Sequence, residues 1–199
     1  MRYQSARKGR RPVRAPLGIM TGLLLATAPV LQAQAGGSRL ALDLRGGINV
    51  PTFDIADAAE SGPSFGAGLS YRLADRVWLI GDADFGFHSG AELPGGGEGP
   101  DVDVNHYMVK LGYQVVQSPG SRFSLVLNAG GGIMTFAVDG GDTFTYPGIN
   151  VGAKLTYDLG SRVSLLLSPQ GDIAFSKEEE VGTSNSWVWP FSAGLRVKF

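Results

Sequence analysis

The sequence predicts an all-β fold: an eight-stranded, antiparallel, up-and-down transmembrane barrel, preceded by a cleavable signal segment. Three observations carry the prediction. Apolar residues alternate with polar or small ones through eight segments between Ser38 and Phe199. The connections between these segments alternate between short and long. The first 35 residues read as a basic start, an apolar run and a small-x-small site.

The chain has 199 residues, enough for one domain with a sizeable core. Hydrophobic residues make up 43% and charged residues 18%, and no uninterrupted apolar run outside the start is long enough for a spanning helix. Cysteine is absent, which excludes disulfides and thiolate-bound metals. The 30 glycines lack the three-residue period of collagen and suit alternating strands.

Residues 1–35 carry Arg2, Arg7, Lys8, Arg10, Arg11 and Arg14 and no acid. The apolar run Leu17–Leu31 follows, then Ala33-Gln-Ala35. A retained N-terminal anchor is the competing reading, but the run is short and Pro29 interrupts it, which favours removal. The expected division is 1–35 signal peptide and 36–199 barrel. Removal lowers Lys plus Arg from 17 to 11 against 18 Asp plus Glu, a net of −7. That balance argues against nucleic acid as a partner.

The eight expected strands run in order over 38–50, 64–73, 76–88, 104–116, 122–136, 146–159, 163–175 and 187–199. The first shows the pattern: Leu40, Leu42, Leu44, Ile48 and Val50 share a face opposite Arg39, Asp43 and Arg45. The last shows it most fully: Trp187, Trp189, Phe191, Ala193, Leu195, Val197 and Phe199 form one row, interleaved with Ser192, Gly194, Arg196 and Lys198. Pro169 falls inside the seventh strand and cannot donate to a ladder, which predicts a bulge or interruption there.

Short turns are expected at Ala74-Asp75, 117–121 and 160–162. Longer loops are expected at 51–63, 89–103, 137–145 and 176–186. The apolar rows hold no Asp, Glu, Lys or Arg through their middles, where Arg or Lys facing lipid costs about 2–4 kcal/mol. Aromatic residues gather at both ends of the rows: Tyr71, Tyr113, Phe123, Tyr157 and Phe199 near the short turns, and Phe65, Phe87, Tyr107, Phe175, Trp187 and Trp189 near the loops. A soluble lipocalin-type calyx would turn its apolar rows inward. It does not account together for the signal, the terminal Phe199 and the charged opposite face.

With these residues in view, 36–199 resembles the small eight-stranded outer-membrane barrels of the OmpA-transmembrane-domain and OmpX type. The resemblance rests on strand number, loop asymmetry and the Phe191–Phe199 ending. It implies an outer-membrane location in a Gram-negative-type envelope, long loops facing outside and short turns facing the periplasm. It also implies that Phe199 is read by the outer-membrane assembly machinery. Outer-membrane lipid and lipopolysaccharide are the implied surroundings, and the expected protein is a monomer.

The opposite parity assigns Arg39, Asp43, Arg45, Arg72, Asp82, Asp84, Lys110, Lys154, Asp158, Asp172, Arg196 and Lys198 to the lumen. Eight strands leave room only for side chains, so opposite charges there are expected to pair. Arg45, Asp82, Asp84, Lys110, Lys154, Asp172 and Arg196 form the expected network, which reads as a plug; the lumen glycines keep a narrow pore open as the alternative. A register summing to 150 around Ala74-Asp75 sets Asp82 opposite Gly68, leaving room for Arg45 to reach across. A register summing to 194 around the second long loop would oppose Asp84 to Lys110 and His88 to His106.

The loops collect acid: Asp54, Asp57, Glu60, Glu92, Glu98, Asp101, Asp103, Asp139, Asp142 and Glu178–Glu180, with Lys177 the one base. A solvated rim and a divalent-cation bridge to lipopolysaccharide phosphates are both open readings. The loops are also where an extracellular ligand would bind. The only histidines are His88 and His106. Ser89 beside His88 is a weak motif for a lipid A-modifying enzyme, since adjacent strand residues face opposite ways. The expectation is a structural or surface-interaction protein, not an enzyme, with no catalytic residues, cofactor or metal.

Overall fold

A period of two in polarity sorts each strand's side chains onto opposite faces, and antiparallel neighbours joined in sequence can close on themselves. The computed structural model describes residues 38–199 apart from 93–95, 118–119 and 182–183. The expected signal segment 1–35 lies outside the described residues.

The strands are β1 (Leu40–Thr52), β2 (Gly62–Arg72), β3 (Val77–His88), β4 (Val102–Gln117), β5 (Phe123–Val138), β6 (Thr143–Asp158), β7 (Val163–Ala174) and β8 (Ser186–Lys198). Each pairs with the next, and β1 pairs antiparallel with β8, so the sheet is a closed barrel. The seam runs from Ala41 opposite Lys198 to Thr52 opposite Trp187. The Phe199 amide extends it by donating to the Leu40 carbonyl at 2.8 Å.

The barrel is inside-out. Asp43, Arg45, Asp82, Lys110, Lys154 and Arg196 are buried, whereas Leu44, Val109, Leu111, Val151 and Leu167 are more than half exposed. An apolar belt of this kind requires an apolar solvent, and closure leaves no unpaired strand edge to face it.

Two expectations about connections are corrected. β5 and β6 run on to Val138 and Thr143, so the third long loop is a tight turn over 139–142. Gly140 makes it possible with φ +71, a left-handed conformation that glycine adopts without steric cost. Pairing of Ala137 with Thr143 continues a ladder that the run of small and acidic residues had disguised.

The β3–β4 register sums to 190, not 194. Asp84 lies opposite His106, and His88 opposite Val102. The connecting segment carries that register itself through a bridge between Glu92 and Glu98. The β2–β3 register is as expected, with Gly68 opposite Asp82.

At Pro169 the ladders are interrupted without slipping. β6–β7 pairing stops at Gly152–Gln170 and resumes at Leu155–Leu167 in the same register. The register shift lies elsewhere, between β4 and β5 at Gln114/Val116.

Candidate functional site

The lumen is layered. At its waist Arg45 bridges two carboxylates: Nη1 reaches Asp82 Oδ1 at 2.9 Å and Nε reaches Asp84 Oδ1 at 3.0 Å. Asp82 also receives Lys110 at 2.5 Å and Lys154 at 2.9 Å. Lys154 continues to Asp43 at 2.8 Å, and Arg196 closes the far side of Asp43 with a bidentate contact at 2.7 and 2.9 Å. Lys110 also donates to Gln170 Oε1 at 3.0 Å. The chain of charges therefore crosses the lumen from β3 to β8 through residues of β1, β4 and β6.

Parity and one glycine build this waist. β1 turns Asp43 and Arg45 inward, and β3 turns Asp82 and Asp84 inward. β2 lies between them and presents Gly66 and Gly68 at the level of contact. A Cβ on Gly68 would lie 2.1 Å from Asp82 Oδ1 and 3.0 Å from Arg45 Nη1. Only a residue without a side chain lets Arg45 span β2. Removing one partner of such a buried cluster leaves uncompensated charge, at a cost of about 3–5 kcal/mol.

The structure thus brings together Arg45, Asp82, Asp84, Lys110, Lys154 and Arg196. Asp43 is a second hub, and it was assigned to the lumen by parity alone. Asp172 stands outside the cluster: it accepts from Asn150 Nδ2 at 2.5 Å and faces His106 Nδ1 at 2.7 Å. The expected Asp84–Lys110 cross-strand pair is replaced, because the register places His106 opposite Asp84. Lys110 instead pairs diagonally with Asp82, and Asp84 pairs with Arg45. The histidines are not opposed either, and His88 Nδ1 lies 2.7 Å from the Glu60 carbonyl. Arg39 is exposed and Arg72, Asp158 and Lys198 are half-buried, all near the short-turn end. There Lys198 pairs with Asp158 at 2.5 Å.

Toward the long loops the lumen turns apolar. Val104, Met108, Met134, Phe136, Tyr146, Ala174 and Val188 form one buried cluster, and Ile55 packs on it. Ile55 comes from a 3-10 turn at Phe53–Asp57 that follows β1. Phe53 opens that turn with φ 62, sparsely populated for a bulky side chain. It stays exposed, edge-on to Trp187 at a centroid distance of 5.6 Å. A second tether comes from α1 (Glu178–Val181), whose Glu180 accepts the Tyr146 hydroxyl at 2.6 Å and pairs with Lys177 at 3.1 Å. Sequence reasoning missed this layer. Its signal was the even-numbered row Val102, Val104 and Met108 at the start of β4, which has the wrong polarity for a wet lumen.

Fold and lumen together define a class: a closed eight-stranded antiparallel barrel with an apolar exterior and a charged waist inside. Residues 21–199 match the family model described as the outer membrane protein beta-barrel domain, and the chain belongs to that family. Among solved structures it is similar to Neisserial surface protein A, NspA (19% identity, TM-score 0.63, 82% of this chain and 99% of that one). It is also similar to the outer membrane protein OprG from Pseudomonas aeruginosa (16%, TM-score 0.58, 82% and 98%). A third likeness is to the N-terminal beta-barrel domain of Pseudomonas aeruginosa OprF (15%, TM-score 0.52, 82% and 99%). At these identities the likeness is one of fold. No curated protein matches the chain in sequence.

Proposed function

We propose that this is a monomeric, non-conducting structural or surface-interaction protein of the outer membrane. Its lumen is closed by charge, and its acidic loops face the exterior. The carrying observation is the continuous waist from Asp84 through Arg45, Asp82, Lys154 and Asp43 to Arg196, whose members are at most 7% exposed. Neutralised charges in direct contact across the waist stand in the path an ion would take. Planar-bilayer recording of the refolded barrel tests this: no steady conductance steps are expected, and reproducible open channels would reject the plug.

The reading includes an N-terminal signal that is removed, periplasmic short turns, and assembly dependent on Phe199. Protease shaving of intact cells should cut within 91–100 or 177–186; cutting confined to permeabilised cells reverses the topology. Phe199→Ser should reduce heat-modifiable barrel in membrane fractions. The acidic loops would meet lipopolysaccharide phosphates through divalent cations and present the surface for an extracellular ligand. The role is non-catalytic in this reading. His106 is engaged with Asp172 inside the barrel, and Ser89 is exposed beside an inward His88. Unchanged lipid A masses in cells with and without the gene are expected.

A further inference from the structure

The short-turn mouth of the barrel opens into a cavity of about 740 Å³. Its wall carries Arg72, Arg76, Arg122, Arg196 and Lys198 against Asp75 and Asp158. Arg196 is neutralised by Asp43 and Lys198 by Asp158. Arg72, Arg76 and Arg122 have no carboxylate partner among the described residues, so the cavity keeps a positive excess.

Arg72 is held in place. Its Nη2 donates to the Ser38 carbonyl at 2.8 Å, and its guanidinium lies 5.1 Å over the Trp78 ring. Trp78 is fixed in turn by Gln114 at 3.4 Å, and Gln114 by Ser124 at 2.9 Å. Held by these contacts, the Arg72 guanidinium is a pre-oriented cation on the cavity wall. The cavity wall also includes Trp78 and Val126, which pack with Ile80, and Arg196, which is paired with Asp43.

We propose that this vestibule binds a phosphate-bearing anion, with Arg72 as the fixed donor and Arg76 and Arg122 completing the cradle. Guanidinium forks match phosphate oxygens in pairs, and a donor already ordered loses little entropy on binding. The phosphate could belong to a lipid headgroup at the rim of the barrel or to a soluble anion; the cradle is the same for both. The site does not depend on the lumen's being closed or on which side of the membrane the turns face.

The test uses the refolded barrel in maltoside micelles, which contain no phosphate, titrated with inorganic pyrophosphate by calorimetry. Saturable binding is expected. Arg72→Gln with Arg122→Gln should weaken it tenfold or more, while Lys177→Gln, at the opposite end, leaves it unchanged. Arg122 is exposed, so Arg122→Gln alone should fold, as checked by heat modifiability, and weaken binding about threefold. Repeating the titration in phosphatidylglycerol nanodiscs separates the sources. Nanodiscs of equal negative charge made with a carboxylate lipid, diacylglycerol hemisuccinate, are the reference: a pyrophosphate affinity tenfold weaker in phosphatidylglycerol than in these identifies the headgroup as the occupant, and equal affinity in the two identifies a soluble anion. No saturable binding in micelles, or equal affinity in wild type and the Arg variants, overturns the proposal.

Discussion

The waist of the lumen and its long-loop end are both closed, but by different means. The waist is closed by strand residues alone: Asp43, Arg45, Asp82, Asp84, Lys110, Lys154 and Arg196 come from the sheet and satisfy one another. The long-loop end is an apolar cluster of strand residues capped by segments outside the sheet. Ile55 packs on the inward apolar cluster, and Glu180 holds the Tyr146 hydroxyl. Charges can meet at the waist because the rigid sheet fixes their spacing and long Arg and Lys side chains cover the rest. At the loop end the closing groups ride on connections, which open locally at lower cost than sheet does.

Perturbing each region in turn can break that comparison. The largest effect is expected from Asp82→Ala, which strips Arg45, Lys110 and Lys154 of a shared carboxylate. A loss of about 3–5 kcal/mol in urea unfolding from vesicles is expected. A loss below about 1 kcal/mol would mean that water, not the network, satisfies those cations. Gly68→Ala comes next. Its Cβ must displace the Asp82 carboxylate from 2.1 Å, so about 1–3 kcal/mol is expected although no charge is removed. If Gly68→Ala were silent, β2 would not be the spacer that lets Arg45 cross.

Ile55→Ala addresses the other region. The deleted methyl groups leave the cluster of Val104, Met134 and Val188, but the 3-10 turn can relax, so about 1–2 kcal/mol is expected. The loss should appear mainly as faster hydrogen exchange in the turn and at the tops of β1 and β2, with the waist unaffected. A global loss as large as that of Asp82→Ala would erase the distinction between the two closures.

The sequence carried these regions unequally. A period of two assigned Arg45, Asp82, Lys110 and Lys154 to the lumen, because one face of every strand must be apolar to meet lipid and the other inherits all the charge. The tight turn at Ala74-Asp75 fixed β2 against β3, so the Gly68 gap was legible too. The partners of Asp84 and Lys110 were not. A connection as long as 89–101 leaves the β3–β4 register free to move in even steps without changing any face, and contacts within the connection, the Glu92–Glu98 bridge and the Gly99 amide on the Ala91 carbonyl, carry the register observed. Ile55 was illegible for a different reason: nothing in a loop's local pattern shows that it will fold back over a mouth formed by β4 to β8. The turn at 139–142 was hidden because Asp139-Gly-Gly-Asp142 reads as the centre of a longer acidic loop, whereas Gly140 lets the strands run almost to their tips.

The smallest expected effect is also the most selective, because it should move the loop end and leave the waist still. Glu180 is exposed, and its carboxyl is held below the usual range for glutamate, first by the Tyr146 hydroxyl and then by Lys177. A carboxyl whose folded value is depressed binds its proton more readily when the contact is broken. The tether is therefore at full strength above the ordinary Glu value and is lost as pH falls through the lowered one. Hydrogen exchange at Glu178–Val181, corrected for its intrinsic pH dependence, should then rise as the medium is acidified from neutral to below pH ~4. Tyr146→Phe removes the donor but keeps the ring in the apolar cluster, so exchange there should already be fast at neutral pH and should lose most of its pH response. The strands around Asp43 and Asp82 should stay protected over the same interval in both proteins, since the ion-pair partners of these two carboxylates among the described residues lie in the sheet. Parallel loss of protection at the waist would mean that the loop contact and the charge network open as one unit.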